Sequence, residues 1–366
     1  MIRFIIVLLL IAAGVWVYFF LQDAGYFRTL EAKFDGTCKP VTAQGFAGPE
    51  DLTIDPETNT AYLSGYDRRA TMAKQPVPGA IWAYDLADPG AQLVNLTPQA
   101  GANFLPHGIG LYRAPDGKKT LFVINHGNNK QTIDIFDVTA GALTLRRTVE
   151  GPELISPNDI VGVGPEQFFV TNDHANREGI QRQLEDYLRL KQTTVYYYDG
   201  AKFYPALTNI GGSNGINATP NGDTLYLSAA SEQKVYVYDR NLTTGQLSQR
   251  AAVDVPGYAD NIELLPDGSF LLGVHSKVLD LVQNVGDPTH LSPSRILRLS
   301  SDGQGGFTVA DVYVNLGQEI SGASVGAAAG KRLLIGAIFE PKFLDCSWPS
   351  GPEIAPPPAE PSPPAR

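Results

Sequence analysis

The 366-residue sequence predicts an all-β fold, a six-bladed β-propeller behind an N-terminal apolar helix. Three observations carry that reading. First, a short strand-like segment recurs six times, as EDLTID, HGIGLY, NDIVGV, NGINAT, NIELLP and SGASVG. Units starting at Glu50, His107, Asn158, Asn214, Asn261 and Ser321 are 57, 51, 56, 47 and 60 residues apart, a period that fits propeller blades. Second, each unit continues into another strand (TAYLSG, TLFVIN, QFFVTN, TLYLSA, SFLLGV, RLLIGA), and several add a third of alternating aromatics and aliphatics, such as AIWAYDL or KVYVYDR. Third, 37 Gly and 27 Pro supply many turns while hydrophobic residues reach 43%, which excludes a disordered chain. An irregular β-sandwich is the bland alternative, and six recurrences of one strand order argue against it.

Taken from the N-terminus, residues 1–25 read as a membrane anchor. Phe4 to Leu21 is an 18-residue run without a charge, about 27 Å long as a helix and just able to span a bilayer. A cleaved signal peptide is the rival. The run ends in Trp16, Tyr18, Phe19 and Phe20, bulky rings that suit a membrane interface better than a small-residue cleavage site. A retained single-pass anchor with everything beyond residue 25 on the exported side, periplasmic or extracellular, is therefore expected.

Residues 26–348 form the propeller. Its only two cysteines, Cys38 and Cys346, sit at opposite ends of it. In an oxidising compartment they can pair, and the segment around Phe27 to Pro40 then completes the ring. Such a bond closes a loop of about 300 residues and contributes on the order of 5 kcal/mol in the chain-entropy treatment; two unrelated free thiols are the alternative. One helical interruption is expected over residues 175–192, where Ile180, Leu184, Tyr187 and Leu188 fall at i, i+4, i+7 and i+8 and suggest an apolar face laid over the propeller as a lid. Residues 349–366 are a Pro-rich tail with little to bury, expected to be disordered.

A net charge of -10 has the wrong sign for a phosphate backbone, so nucleic acid is not expected as a partner. The inner strands point elsewhere. They open with Glu50-Asp51, His107, Asn158-Asp159, Asn214 and Asp260-Asn261, so five blades send polar residues towards one axis. Taken singly, each is best read as a turn-forming or strand-capping residue. Together, without cations among them, they would be strongly unfavourable, and their hard oxygen donors suit one or two Ca²⁺ ions. Strand alternation would let neighbours such as Glu50 and Asp51 serve ions at different levels.

GPEDLTID, LPHGIGLY, FVINHGNN, SPNDIVGVGPEQFFVTNDH, NGINATPNGDTLYLS, DNIELLPDGSFLLGVHSK and LLIGAIF resemble, in order from about Cys38 to Cys346, the serum paraoxonase/arylesterase family. The resemblance implies a six-bladed propeller with two tunnel Ca²⁺ ions, a retained N-terminal segment and hydrolysis of lactones and aryl esters. By motif, Glu50, Asn158, Asn214, Asp260 and Asn261 fall on the ligands of a catalytic calcium. Asp51, Asp159 and the carbonyl of Ile109 fall on those of a structural calcium. His107 and His126 match a histidine pair near the catalytic ion, His174 and His275 match further histidines of the pocket or tunnel, and His290 matches none. The sequence departs from the family in SGYDRRATMAKQPVPG, where Arg68, Arg69 and Lys74 make the site's border more cationic.

In the resulting picture Ca²⁺ polarises a lactone or ester carbonyl, and His107, oriented by His126, takes a proton from the attacking water. Glu50 or Asp260 is the alternative base. No GxSxG elbow occurs, so a serine triad of the α/β-hydrolase kind is unsupported. Two other functions stay open: a gluconolactonase/regucalcin-like sugar-lactone hydrolase, and a non-enzymatic anchored propeller that binds protein.

Overall fold

A computed structural model describes residues 2–88, 90–127 and 130–353. The Pro-rich tail from residue 354 onward lies outside the described residues. Six four-stranded antiparallel sheets form the blades of a propeller. Their inner strands are Leu52–Asp55, Pro106–Arg113, Pro157–Gly162, Ser213–Ala218, Tyr258–Leu264 and Ala323–Ala329. In the sixth blade the outermost strand comes from the other end of the chain. Thr37–Val41 pairs with Phe343–Ser347, with Cys38 opposite Cys346, and the two cysteines are disulfide-bonded. The ring is thus closed both by a hydrogen-bonded ladder and by a covalent bond.

Between blades the cores are apolar and aromatic, because each strand buries its alternating residues against the next sheet. Phe46, Trp82, Tyr84 and Phe343 join the first and last blades; Phe122, Phe168 and Tyr198 join the second and third. Inner-strand glycines let neighbouring blades come close. A Cβ on Gly108 would lie 2.3 Å from the Asn158 carbonyl oxygen, and one on Gly215 would lie 2.3 Å from that of Asp260. Both glycines directly follow a candidate site residue, His107 or Asn214.

Among the described residues four α-helices accompany the sheets, where the sequence suggested an anchor and one interruption: α1 (Ile2–Asp23), α2 (Arg68–Met72), α3 (Gly179–Leu188) and α4 (Val278–Gly286). Asp67 caps α2, accepting from Ala70 N at 2.9 Å. Helix α1 has a window of mean hydropathy 2.8, no buried residue, and the length to cross a membrane.

Helix α3 does not lay its apolar face on the propeller. Ile180, Leu184, Tyr187 and Leu188 are 65%, 41%, 54% and 51% exposed, and the one buried residue of the helix is Glu185. The polar side turns inward because the segment before α3 needs acceptors: Glu185 takes Ala175 N at 2.8 Å and the Asn176 side chain. The apolar side turns towards the end of α1, where Phe20 and Tyr187 are 6.1 Å apart and Arg189 pairs with Asp23.

Candidate active site at one end of the tunnel

The site residues occupy matching positions in successive inner strands. His107, Asn158 and Asn214 are the second residues of theirs; Asp260 and Asn261 are the third and fourth of theirs. Glu50 and Asp51 immediately precede the first inner strand. Four of these strands break register at this point, between Pro106 and Ile109, Pro157 and Ile160, Ser213 and Ile216, and Ala259 and Ile262. A bulge re-aims side chains that a regular ladder would alternate. In Asn158-Asp159 and Asp260-Asn261 the dipeptide thus sits in a bulge, where simple strand alternation was expected, whereas Glu50-Asp51 precedes a regular strand.

At the upper level, Glu50, Asn158, Asp260 and Asn261 are between 2% and 6% exposed. Asn261 Nδ2 donates to Glu50 Oε1 at 2.9 Å, and Asp260 Oδ2 meets His275 Nε2 at 2.6 Å. Glu50 Oε2 and the amide oxygens of Asn158, Asn214 and Asn261 are buried without a hydrogen-bond partner. Four unsatisfied buried oxygens on neighbouring inner strands are costly unless a cation or its water takes them up. No group of three or more His, Cys, Asp or Glu among the described residues is arranged as a metal centre, and this donor set relies on amide oxygens.

A second set is turned to backbone donors. Asp51 Oδ2 accepts from Ile109 N at 2.7 Å, and Asp159 accepts from Ile160 N at 2.7 Å and Ile216 N at 2.6 Å. Burial pushes both carboxyls well above the usual range, and neighbouring carboxylates, Asp159 and Glu50 facing Asp51 among them, push further. Glu263 joins them. It accepts from Thr53 Oγ1 at 3.2 Å and Asn217 Nδ2 at 3.3 Å, and burial raises its carboxyl to about 8. The sequence reading missed Glu263, although it lies two positions beyond Asn261 in the same strand.

The histidines form an ordered chain. His126 Nδ1 faces Gln131 Oε1, and His126 Nε2 is 2.7 Å from His107 Nδ1. With the Gln131 amide in this orientation, its oxygen accepts from His126 Nδ1–H, so His126 Nε2 must accept from His107 Nδ1–H. Burial, reinforced by His107, lowers His126 to about 3, which keeps it neutral. His107 Nε2 is then the nitrogen at which that ring gains or loses its proton. It lies 3.1 Å from Glu50 Oε2, so a proton taken up at Nε2 is paired at once with that carboxylate. Burial alone would raise the Glu50 carboxyl, but His107 and Arg68 hold it down at about 2.

The other histidines separate. His275 is bound to Asp260, with its Nδ1 buried and unpaired. His174 lies between Asp173 and Asp186, 2.8 Å from each, and so ties α3 to the propeller. His290 meets Asp280 of α4 at 3.1 Å, away from the tunnel set.

A family model described as Arylesterase matches residues 43–347. Serum paraoxonase/arylesterase 2 of Bos taurus is 31% identical over 300 residues, covering 80% of this chain and 84% of that protein. Serum paraoxonase/arylesterase 1 of Homo sapiens is 29% identical over 307 residues, covering 82% and 85%. Among solved structures, a gluconolactonase from Xanthomonas campestris aligns with TM-score 0.54 at 17% identity, covering 86% of this chain and 90% of that one, a likeness of fold.

Proposed function

The chain belongs to the arylesterase family and is a hydrolase of esters and lactones, and on that premise we propose that it works as a calcium-dependent arylesterase and lactonase at the bulged end of its tunnel. The observation that carries this reading is the set of four buried, unpartnered oxygens on Glu50, Asn158, Asn214 and Asn261. With Asp260 they make a hard, oxygen-only donor set of the kind Ca²⁺ takes. Asp51, Asp159 and the Ile109 carbonyl would hold a second ion, whose charge would relieve the repulsion between the two buried carboxylates.

When bound, the upper ion supplies a Lewis acid that polarises the ester or lactone carbonyl and stabilises charge developing on its oxygen. The proton work falls to the histidines. In the neutral ring His107 Nε2 takes a proton from the attacking water and later returns it to the leaving alkoxide or phenoxide, with Glu50 beside the imidazolium in between. His126 and Gln131 hold that ring in the tautomer with Nε2 unprotonated. Asp260 orients His275 on the other side of the site.

The same reading places the enzyme on a membrane. Helix α1 fits a single-pass anchor or a signal sequence, and its attachments favour retention. Ala24 O accepts from Val278 N at 3.0 Å, Asp23 O accepts from Gln233 Nε2 at 3.0 Å, and Asp23 pairs with Arg189. Cleavage after the apolar run would discard Phe20, the ring that meets Tyr187. The disulfide suits an exported, oxidising location. The test is hydrolysis of phenyl acetate and of a set of alkyl lactones against gluconolactone, before and after chelation. Turnover of gluconolactone alone would replace this reading with a sugar-lactone hydrolase, and the absence of any hydrolysis would reject it.

A further inference from the structure

The two arginines in the loop after the first blade's second strand do different things. Arg69 is fully engaged at its end groups, donating to Phe339 O at 3.2 Å, to Asn284 O at 2.7 Å and to Asn284 Oδ1 at 2.9 Å, with its plane over Phe339. It clamps the loop to α4. Arg68 is held as firmly but only from one side. Its Nη1 donates to Gly48 O at 2.9 Å, and its guanidinium lies over the Tyr66 ring, 4.3 Å from the centroid.

Its Nη2 has no acceptor at all. That atom is buried and unpartnered, in a side chain only 10% exposed, and the nearest carboxylate oxygen, Glu50 Oε2, is 3.8 Å away, beyond hydrogen-bond reach. Glu50 spends its other oxygen on Asn261, and the same Oε2 is 3.1 Å from His107 Nε2. A fixed, desolvated guanidinium edge therefore stands beside the base and the candidate ion ligands with a donor to spare. With Nη1 held by the carbonyls of Gly48 and Ile338, Nη2 is the group left to give a charge-assisted hydrogen bond to a carboxylate.

Charge matching leads to the same place. If Glu50 is taken up by a divalent ion, as the reading above holds and on which this step rests, Arg68 loses its carboxylate neighbour. We propose that Arg68 recognises an anionic group carried by the substrate, so that this enzyme is selective for esters and lactones bearing a free carboxylate. Substrate specificity would then be set by a donor fixed before binding, which keeps the ordering cost of recognition low.

Two measurements on the calcium-loaded, full-length protein test the proposal. In the first, glutarate and its neutral diamide are titrated calorimetrically into wild type, Arg68→Gln and Arg68→Lys. Wild type should bind glutarate at least tenfold more tightly than Arg68→Gln does, with Arg68→Lys between them and the diamide binding none of the three measurably. In the second, monophenyl glutarate is compared with uncharged phenyl pentanoate. Arg68→Gln should lower the ratio of their kcat/KM values at least tenfold, mainly through KM of the charged ester, and Arg68→Lys should recover part of it.

Equal losses on both esters with unchanged glutarate affinity would overturn the proposal and make Arg68 a counter-charge for Glu50. Calcium affinity, measured alongside, should then rise in Arg68→Gln, because a cation that competes for Glu50 is gone. Failure of wild type to hydrolyse either ester would sink the hydrolase reading instead, while Arg68-dependent glutarate binding would still uphold the anion site.

Discussion

His107 Nδ1 lies 2.7 Å from His126 Nε2, and the outer nitrogen of His126 faces Gln131, so three side chains fix which nitrogen of His107 is free to accept a proton. His107→Gln should lower turnover by about 10² to 10⁴ while leaving calcium affinity nearly intact. His126→Gln should fall between that variant and wild type. Steady-state kinetics beside calcium titration checks both. A His107→Gln enzyme with wild-type turnover would move the base to Glu50 or Asp260.

Gln131→Leu removes the acceptor that sets the His126 tautomer without touching the pocket itself. It should reduce kcat more than it raises KM, and shift the pH–rate profile, because a smaller share of His107 has Nε2 unprotonated. Gln131→Asn, a shorter amide, should retain more activity than Gln131→Leu.

Removing an oxygen ligand should act differently from removing the base. Asn214→Ala and Asp260→Ala should lose calcium binding and hydrolysis together. Chelation should also lower the melting temperature of wild type, since a bound ion stabilises the folded state that binds it. Calorimetry with and without chelator reads this, and an unchanged transition would remove the proposed ions from the stability account.

His174 gives α3 a pH dependence. Burial would lower its pKa, but the hydrogen bonds it donates to Asp173 and Asp186 outweigh burial and raise it from 6.5 to about 9, against an opposing effect of nearby Arg182. A folded-state value above the unfolded one stabilises fully below about 6.5, and that stabilisation fades as pH rises through about 9. Hydrogen exchange in α3 should therefore accelerate beyond the intrinsic base-catalysed trend as pH passes 9. His174→Asn should exchange fast at both ends of that range.

Much of this was legible in the sequence, for identifiable reasons. The inner and second strands bury both faces, so their apolar runs repeat visibly, and the sixfold count and the Cys38–Cys346 closure follow from them. The outer strands escaped. Ala142–Glu150, for example, is mostly solvent-exposed and carries Arg146 and Arg147 where a core strand would be apolar. The face of α3 was misjudged because periodicity marks an apolar stripe without saying what it meets, and here the polar Glu185 was needed inside. Glu50, Asn158, Asn214, Asp260 and Asn261 stood out as strand-opening polar residues, whereas Gln131 lies five residues from His126 in a loop, and only the fold brings its amide to the ring. Arg68 and Arg69 look alike in sequence; what separates them is Asn284 and Phe339, more than 200 positions away.

The central claim is that ester and lactone hydrolysis depends on calcium held by the tunnel oxygens. The most direct measurement is turnover of phenyl acetate and of a γ-lactone by protein stripped with chelator, verified metal-free by elemental analysis, and then titrated with Ca²⁺. The account predicts that both activities vanish on stripping and return in parallel as calcium is restored, with Asn214→Ala failing to recover. Full hydrolysis of either substrate by the metal-free protein would contradict it.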